Sequence, residues 1–385
     1  MNFHKTNSME NKTTKRIESI DILRGMDMFL LVFLNPVFVA LAKAMNLPFT
    51  NWLATGFVHT TWVGFSLEDI IMPLFMFMAG ASMPFAFAKH LNSGSKSKLY
   101  RRIIKRVILL WIFGMMCQGN LLAMDPSHIA FYSNTLQSIA IGYLISAIML
   151  INFKIKGQII ITSGMLLVYW AILSFVKIDG FGGGDFTADH NLAEYIDRVV
   201  MGRFRDQSMV VPFGIDFGNY RYTWIVSSLN FGVTVMTGVF AGHILKGGLD
   251  KIKKVKWLTF GGILMIIAGL LWSLQMPIIK HIWTSSMTLF SSGICFLLMA
   301  FFYYIVDYKQ HDKYLKWLKF YGMNSILAYM LCEIVNFSCI GESVFHGTEQ
   351  FIGGAYYYAL IEFTNASIIF FILWIMYKRS KFLKV

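Results

Sequence analysis

Residues 70–88 read IIMPLFMFMAGASMPFAFA, nineteen positions without an ionisable side chain. At 1.5 Å per residue a helix of that length covers about 28 Å, the hydrocarbon thickness of a bilayer. Nine further apolar runs bounded by charges or turn residues lie at about 28–46, 107–124, 133–153, 158–176, 223–245, 257–275, 284–306, 320–340 and 355–377. Composition supports the same reading. Of 385 residues, 56% are hydrophobic and 14% charged, against roughly 45–50% and about 25% in soluble domains. The apolar share, about 216 residues, suffices for about ten spans of roughly 20 residues each. The expected fold is an all-α integral membrane protein, a bundle of about ten transmembrane helices.

Lys and Arg number 34 against 21 Asp and Glu, a net charge of +13. They collect in short segments between apolar runs rather than along one amphipathic face, which argues against a nucleic-acid partner and for membrane topology. With the amino terminus inside, segments 1–26, 89–106, 154–157, 246–256, 307–319 and 378–385 hold 27 of the 34. The exterior loops hold six: Lys177, Arg198, Arg203, Arg205, Arg221 and Lys280. Both termini are therefore expected in the cytoplasm. Lys43, near the outer end of the first span, can snorkel. The chain divides into a cytoplasmic segment 1–26, a single transmembrane domain 27–378 and a tail 379–385. The first apolar run is long and has no A-x-A exit, unlike a cleaved signal peptide. Cys117, Cys295, Cys332 and Cys339 lie in or beside apolar runs without C-x-x-C spacing. They indicate neither a disulfide framework nor a zinc site, and no metal is expected.

Most connections are short, but residues 177–222 carry GFGGGDFTADHNLAEYIDRVVMGRFRDQ. That loop is long enough for a Gly-rich turn and an amphipathic helix over 190–202. It reads either as a substrate-facing lid or as a solvated loop closing the bundle.

Ionisable groups in or beside spans are expensive and mark function by default. They are Asp27, Glu68, Asp69, Glu333 and Glu362, with His59, His243 and Lys280 among bases or cations. Asn35, Asn230 and Asn324 also interrupt apolar runs. Asn35 sits about 12 Å into the first span, and Pro36 behind it frees a backbone carbonyl. An amide there can face a cavity or bond a neighbouring helix. His59 stands in HTTWVGFSLED, with Trp62, Glu68 and Asp69 close by. A carboxylate that orients an imidazole is the usual arrangement for a general base near neutral pH. Arg24, the group Arg101, Arg102, Lys105 and Arg106, and the group Lys313, Lys316 and Lys319 precede spans on the cytoplasmic side. They can hold a polyphosphate or serve only as topology signals.

RIESIDILRGMDMFLLVFLN followed by HTTWVGFSLEDIIMPLFMFMAGASM resembles the heparan-α-glucosaminide N-acetyltransferase family of membrane acyltransferases. The order matches: a D-x-x-R-G entrance, an Asn eleven residues after the Arg, then H-x-x-W-x-G-x-x-x-x-D and a proline opening the next span. TLQSIAIGYL, GGGDFTADHNLAEYIDR, HIWTSSM and FYGMNSILAY extend the likeness over nearly the whole chain. The resemblance implies acetyl transfer from cytoplasmic acetyl-CoA, as co-substrate, to the amine of a glucosamine residue across the membrane. It implies reaction-centre roles for His59 and Asn35, with Asp69 as orienting partner. The cations Arg24, Arg102 and Lys316 are assigned to the cofactor phosphates. Trp62, Asp185, Asn191, Trp283 and Asn324, which stand in the matched motifs, are assigned to the acceptor. His59 is expected to act as a base in direct transfer, with Asn35 donating to the thioester carbonyl; an acetyl-histidine intermediate stays open.

The sequence departs from the family at Val63, at NPVFVALAKAMNLPFTNW in place of a Gly-rich turn, and at RYTWIVSSLN. These departures lie on the exterior face and leave the acceptor open. A bacterial inner membrane is expected, because the chain is short for a lysosomal relative. A transporter for N-acetylglucosamine and an O-acyltransferase acting on a surface polysaccharide are the competing functions. The transporter would show discontinuous helices in matching halves, which the sequence does not display. Oligomeric state stays open, a homodimer included.

Overall fold

A computed structural model describes residues 17–92, 96–211, 214–216, 218 and 222–383. The first span begins as α1 (Glu18–Phe29), widens into a π turn over Leu30–Leu34 and continues as α2 (Asn35–Met45). Pro36 has no N–H to donate back to the preceding turn, so the hydrogen-bond ladder slips there into the wider π spacing. The short α3 (Pro48–Thr55) follows, and a 3₁₀ turn, Glu68–Ile70, then leads into α4 (Ile71–Asn92).

After α4 come α5 (Lys96–Cys117), α6 (Thr135–Asn152) and α7 (Ile155–Phe175). The long connection after α7 contains α8 (Leu192–Met201) and two short antiparallel hairpins, Lys177–Ile178 with Phe181–Gly182 and Met209–Val211 with Gly214–Asp216. The second half holds α9 (Ser228–Lys246), α10 (Lys251–Trp272), α11 (Ser285–Phe302), α12 (Lys319–Met323), α13 (Ser325–Ile334), α14 (Ser338–Val344), α15 (Glu349–Ile352) and α16 (Gly354–Lys378).

Among the described residues eight helices are long and apolar enough to cross a membrane, or nine if α13 and α14, bent by 63°, form one broken span. The sequence led to about ten. The difference lies at 107–124, where α5 starts earlier, at Lys96, and carries Lys98, Arg101, Arg102, Lys105 and Arg106 in its first half. The bent pair is a discontinuity that the apolar pattern of 320–340 concealed. It is the only such pair among the described residues, so no second broken span matches it in the other half.

α4 and α9 run through the centre of the bundle, most of their residues buried. They touch backbone to backbone. A Cβ on Gly80 would land on the Val235 carbonyl, and one on Gly238 on the Phe77 carbonyl. Gly25 and Gly322 bring α1 and α12 equally close, each facing a carbonyl of the other. Small residues allow this approach where apolar burial alone gives helices in lipid little reason to associate.

The loop between α7 and α9 is folded onto the bundle rather than loosely solvated. Asn191 caps α8 by accepting from the Glu194 amide at 2.9 Å. Arg205 donates to both oxygens of Glu194, each at 2.6 Å, with all three groups buried. Asp197 accepts from the amides of Trp224 and Ile225 and so fixes the approach to α9.

Candidate active site

His59 and Asp69 meet because the chain between them folds back on itself. Gly64 adopts φ +126°, and its amide donates to the Ile278 carbonyl at 2.9 Å, while Val63 pairs with Ile279. The segment is thereby pinned against the loop between α10 and α11. His59 Nδ1 lies 2.9 Å from Asp69 Oδ1. The other carboxylate oxygen, Oδ2, accepts from Thr60 Oγ1, Ser66 N and Ser66 Oγ, each at 3.0 Å. A buried carboxylate with this many donors is fixed in place and stays ionised more easily than an unpartnered one.

Lys280 completes the cluster. Its Nζ lies 3.2 Å from Asp69 Oδ1 and 3.2 Å from His59 Nδ1. Since Oδ1 accepts from both cation and ring, Nδ1 is the protonated nitrogen and Nε2 keeps its lone pair. Sequence reading singled out Lys280 only as a cation beside a span; 221 residues separate it from His59, and only the folded Gly64–Ile278 contact brings them together.

His59, Glu68 and Lys280 open onto a cavity of about 490 Å³, walled also by Met72, Phe75, Tyr222, Asp206, Tyr329 and Glu333. A second cavity of about 580 Å³ holds Arg24, Arg102 and Arg106 beside Phe75, Ala79, Ser82 and Ala86. Phe75 is common to both. Glu68, Met72, Phe75, Ala79, Ser82 and Ala86 recur every three or four residues, so one face of α4 and its leading turn lines the whole way. From Glu68 to Ala86 that face is about 27 Å long.

At the arginine end, Arg24 donates to Ser82 Oγ at 2.7 Å and stands 3.8 Å from Asp21. Arg106 lies over the Tyr143 ring, 4.4 Å from its centre, and its buried Nε has no hydrogen-bond partner among the described residues. A buried guanidinium N–H without an acceptor is what an anion in the cavity would satisfy. Three arginines around one cavity suit a ligand with a polyanionic head.

The remaining expected site residues fall elsewhere. Lys316 does not line the arginine cavity and pairs with Asp312 at 3.2 Å. Asn35 donates to Glu68 Oε2, and the two line an adjoining, mainly apolar cavity with Phe65, Leu74 and Phe290. Asn35 is therefore joined to the His59 cavity through Glu68 and does not itself line it. Trp62 donates from Nε1 to the Phe186 carbonyl at 2.8 Å and stacks on His281, which ties the His59 segment to the loop between α7 and α9. Asp185 is exposed and closes a local turn by accepting from Thr187.

Asn191 is fully buried as the α8 cap. Trp283 is a core side chain, its ring N–H donating to Thr234 Oγ1 at 3.1 Å. Asn324 binds the chain end instead, donating to the Lys381 carbonyl and accepting from the Leu383 amide. Arg106, read from the sequence only as one of a group of cations able to hold a polyphosphate, and Glu333 and Asp206, assigned to no site, line the two cavities. Arg106 and Glu333 carried the signal of charge in or beside a span; Asp206, in the loop between α7 and α9, carried none.

The chain matches no family model. It is similar to the heparan-alpha-glucosaminide N-acetyltransferase of Mus musculus, 24% identical over 377 aligned residues that cover 84% of this chain and 54% of the mouse protein. The protein of the same name from Homo sapiens is 26% identical over 373 aligned residues, with 83% and 53% covered. The chain spans about half the length of the curated relatives it matches. An integral membrane bundle with a His–Asp–Lys cluster at one end and an arginine cavity at the other is thus similar in sequence, over most of its length, to proteins named for N-acetyl transfer to a glucosaminide.

Proposed function

We propose that this protein is a transmembrane N-acetyltransferase that takes acetyl from acetyl-CoA and gives it to the amine of a glucosamine residue. The observation that carries the reading is the shared α4 face, which joins three arginines to His59 over about the thickness of a bilayer. The excess of Lys and Arg around the Arg24 end supports a cytoplasmic side for that end, with the His59 end facing the periplasm of a bacterial inner membrane. Arg24, Arg102 and Arg106 hold the nucleotide phosphates, and the pantetheine arm passes Phe75 to bring the thioester beside Glu68.

The acceptor's ammonium group first loses one proton to solvent, and His59 Nε2 takes a second proton as the free amine nitrogen attacks the thioester carbonyl. The new C–N bond forms as the C–S bond breaks, and the thiolate leaves with the pair of electrons. Asp69 holds the ring in the tautomer this requires. Glu68, Asp206 and Glu333 give the cavity a negative lining that attracts a protonated amine, which favours N- over O-transfer. Asn35 acts by fixing Glu68 at the acyl end.

The test is thiol release from acetyl-CoA by detergent-purified protein, with glucosamine, a glucosamine-ended disaccharide or N-acetylglucosamine as acceptor, beside His59→Ala. Release that needs both a free amine and His59 supports the reading. No release with any acceptor, together with sugar uptake into proteoliposomes, would replace it with transport.

A further inference from the structure

Lys280 is almost entirely buried, its side chain 5% exposed. Its Nζ donates to Asp69 Oδ1 at 3.2 Å and stands 3.2 Å from His59 Nδ1, whose own proton is turned to the same oxygen. Its backbone is held on both sides: Ile278 accepts from Gly64, the Trp283 amide donates to the Lys280 carbonyl at 3.0 Å, and the His281 carbonyl accepts from Thr223 at 3.0 Å. The side chain therefore arrives at the pair from a fixed platform. Burying an ammonium is costly unless it is paired, and this one is paired with the same oxygen that the imidazole uses.

We propose that Lys280 is a positioning residue that keeps His59 neutral between turnovers by sharing the Asp69 carboxylate with it. The inference rests on the reading of His59 as the base. A lone carboxylate 2.9 Å from a ring N–H favours the imidazolium form, in which Nε2 can no longer accept a proton. A second cation at 3.2 Å from the ring offsets that attraction, while the Nδ1–H bond to Asp69 still sets the tautomer. Burial lowers the Lys280 pKa from the ordinary lysine value, and Asp69 opposes that effect. The other charged or titratable groups facing this corner are Glu68, Asp206, Tyr222 and Glu333 around the cavity, Lys43 from α2 and His281 beside Lys280. Lys280 brings its cation to 3.2 Å from the ring and is thereby placed to offset Asp69.

The measurement is diethylpyrocarbonate labelling of His59, read by peptide mass spectrometry across about pH 5 to 9 on the purified full chain. It compares wild type, Lys280→Met and Lys280→Arg. Only the neutral ring is labelled, so the midpoint reports its protonation without any need for turnover. Lys280→Met should move the midpoint up by about one pH unit or more, and Lys280→Arg should leave it near the wild-type value. The acid limb of the thiol-release profile should move in step. An unmoved midpoint in folded Lys280→Met overturns the proposal. If that variant does not fold, Lys280→Gln carries the same test, because it keeps a hydrogen bond to Asp69 and loses the charge. Absence of thiol release in wild type would remove the acetyl-transfer reading and leave the labelling result standing.

Discussion

The two ends of the α4 face are built on opposite plans. Around His59 every polar partner is already in place: Asp69 receives donors on both oxygens, and Lys280 is locked by backbone bonds on either side. At the arginine end the buried Nε of Arg106 has no hydrogen-bond partner among the described residues, and Arg24, bonded to Ser82 and 3.8 Å from Asp21, opens onto the same cavity. A reaction centre gains from geometry fixed before substrate arrives. A site for a polyanion gains from cations whose hydrogen-bonding capacity is left for the ligand. The difference separates turnover from affinity along a single helix.

Four measurements can break or sharpen that contrast. The largest effect is expected at the fixed end: His59→Ala should lower turnover by about a thousandfold or more while acetyl-CoA binding persists, and a loss of binding instead would merge the two ends into one. At the other end Arg24→Gln should raise the KM for acetyl-CoA by about tenfold with little change in kcat. An equal loss in kcat would show that the arginine cavity also positions the thioester.

A third, smaller effect concerns pH. His281 lies between Trp62 and Tyr222, with ring centres 5.1 and 4.3 Å away, and burial together with Lys280 pushes its pKa down to about 4. The unfolded chain binds that proton near 6.5, so stability is full above 6.5 and declines as pH falls towards about 4. The melting temperature in detergent should fall over that interval, and His281→Phe should flatten the fall. Lys316→Ala should change neither KM nor kcat by more than about twofold, because an exposed pair of this kind contributes little.

Much of this was legible from residue type and spacing. The ten residues from His59 to Asp69 are short enough that a histidine and a carboxylate flagged together do meet, and the amphipathic 190–202 segment forms α8 over Leu192–Met201. What stayed hidden depends on contacts distant in sequence. Lys280 joins His59 only through the Gly64–Ile278 bond, and Arg106 enters the cavity because α5 begins at Lys96 and turns that side chain inward. Asn191, Trp283 and Asn324 stand in the motifs that carry the family likeness, yet each is spent on a helix cap, the core or the chain end. A motif residue can be required for the shape of a site without touching what the site binds. Likewise, hydropathy could not show that α13 and α14 are bent apart, since both halves are apolar.

The π turn at Leu30–Leu34 makes the first span sensitive to length in a way that its composition conceals. Such a turn holds one residue more than an α-helical turn. Adding one more residue to LLVFL would exceed what the turn absorbs and would swing everything beyond it by about 100°. Asn35 would then leave Glu68 and face a different neighbour, although no residue of the site had been altered. Conservative exchanges within the five should pass unnoticed while a single-codon insertion should not. For this stretch the inherited quantity is a number of residues, more than their identities.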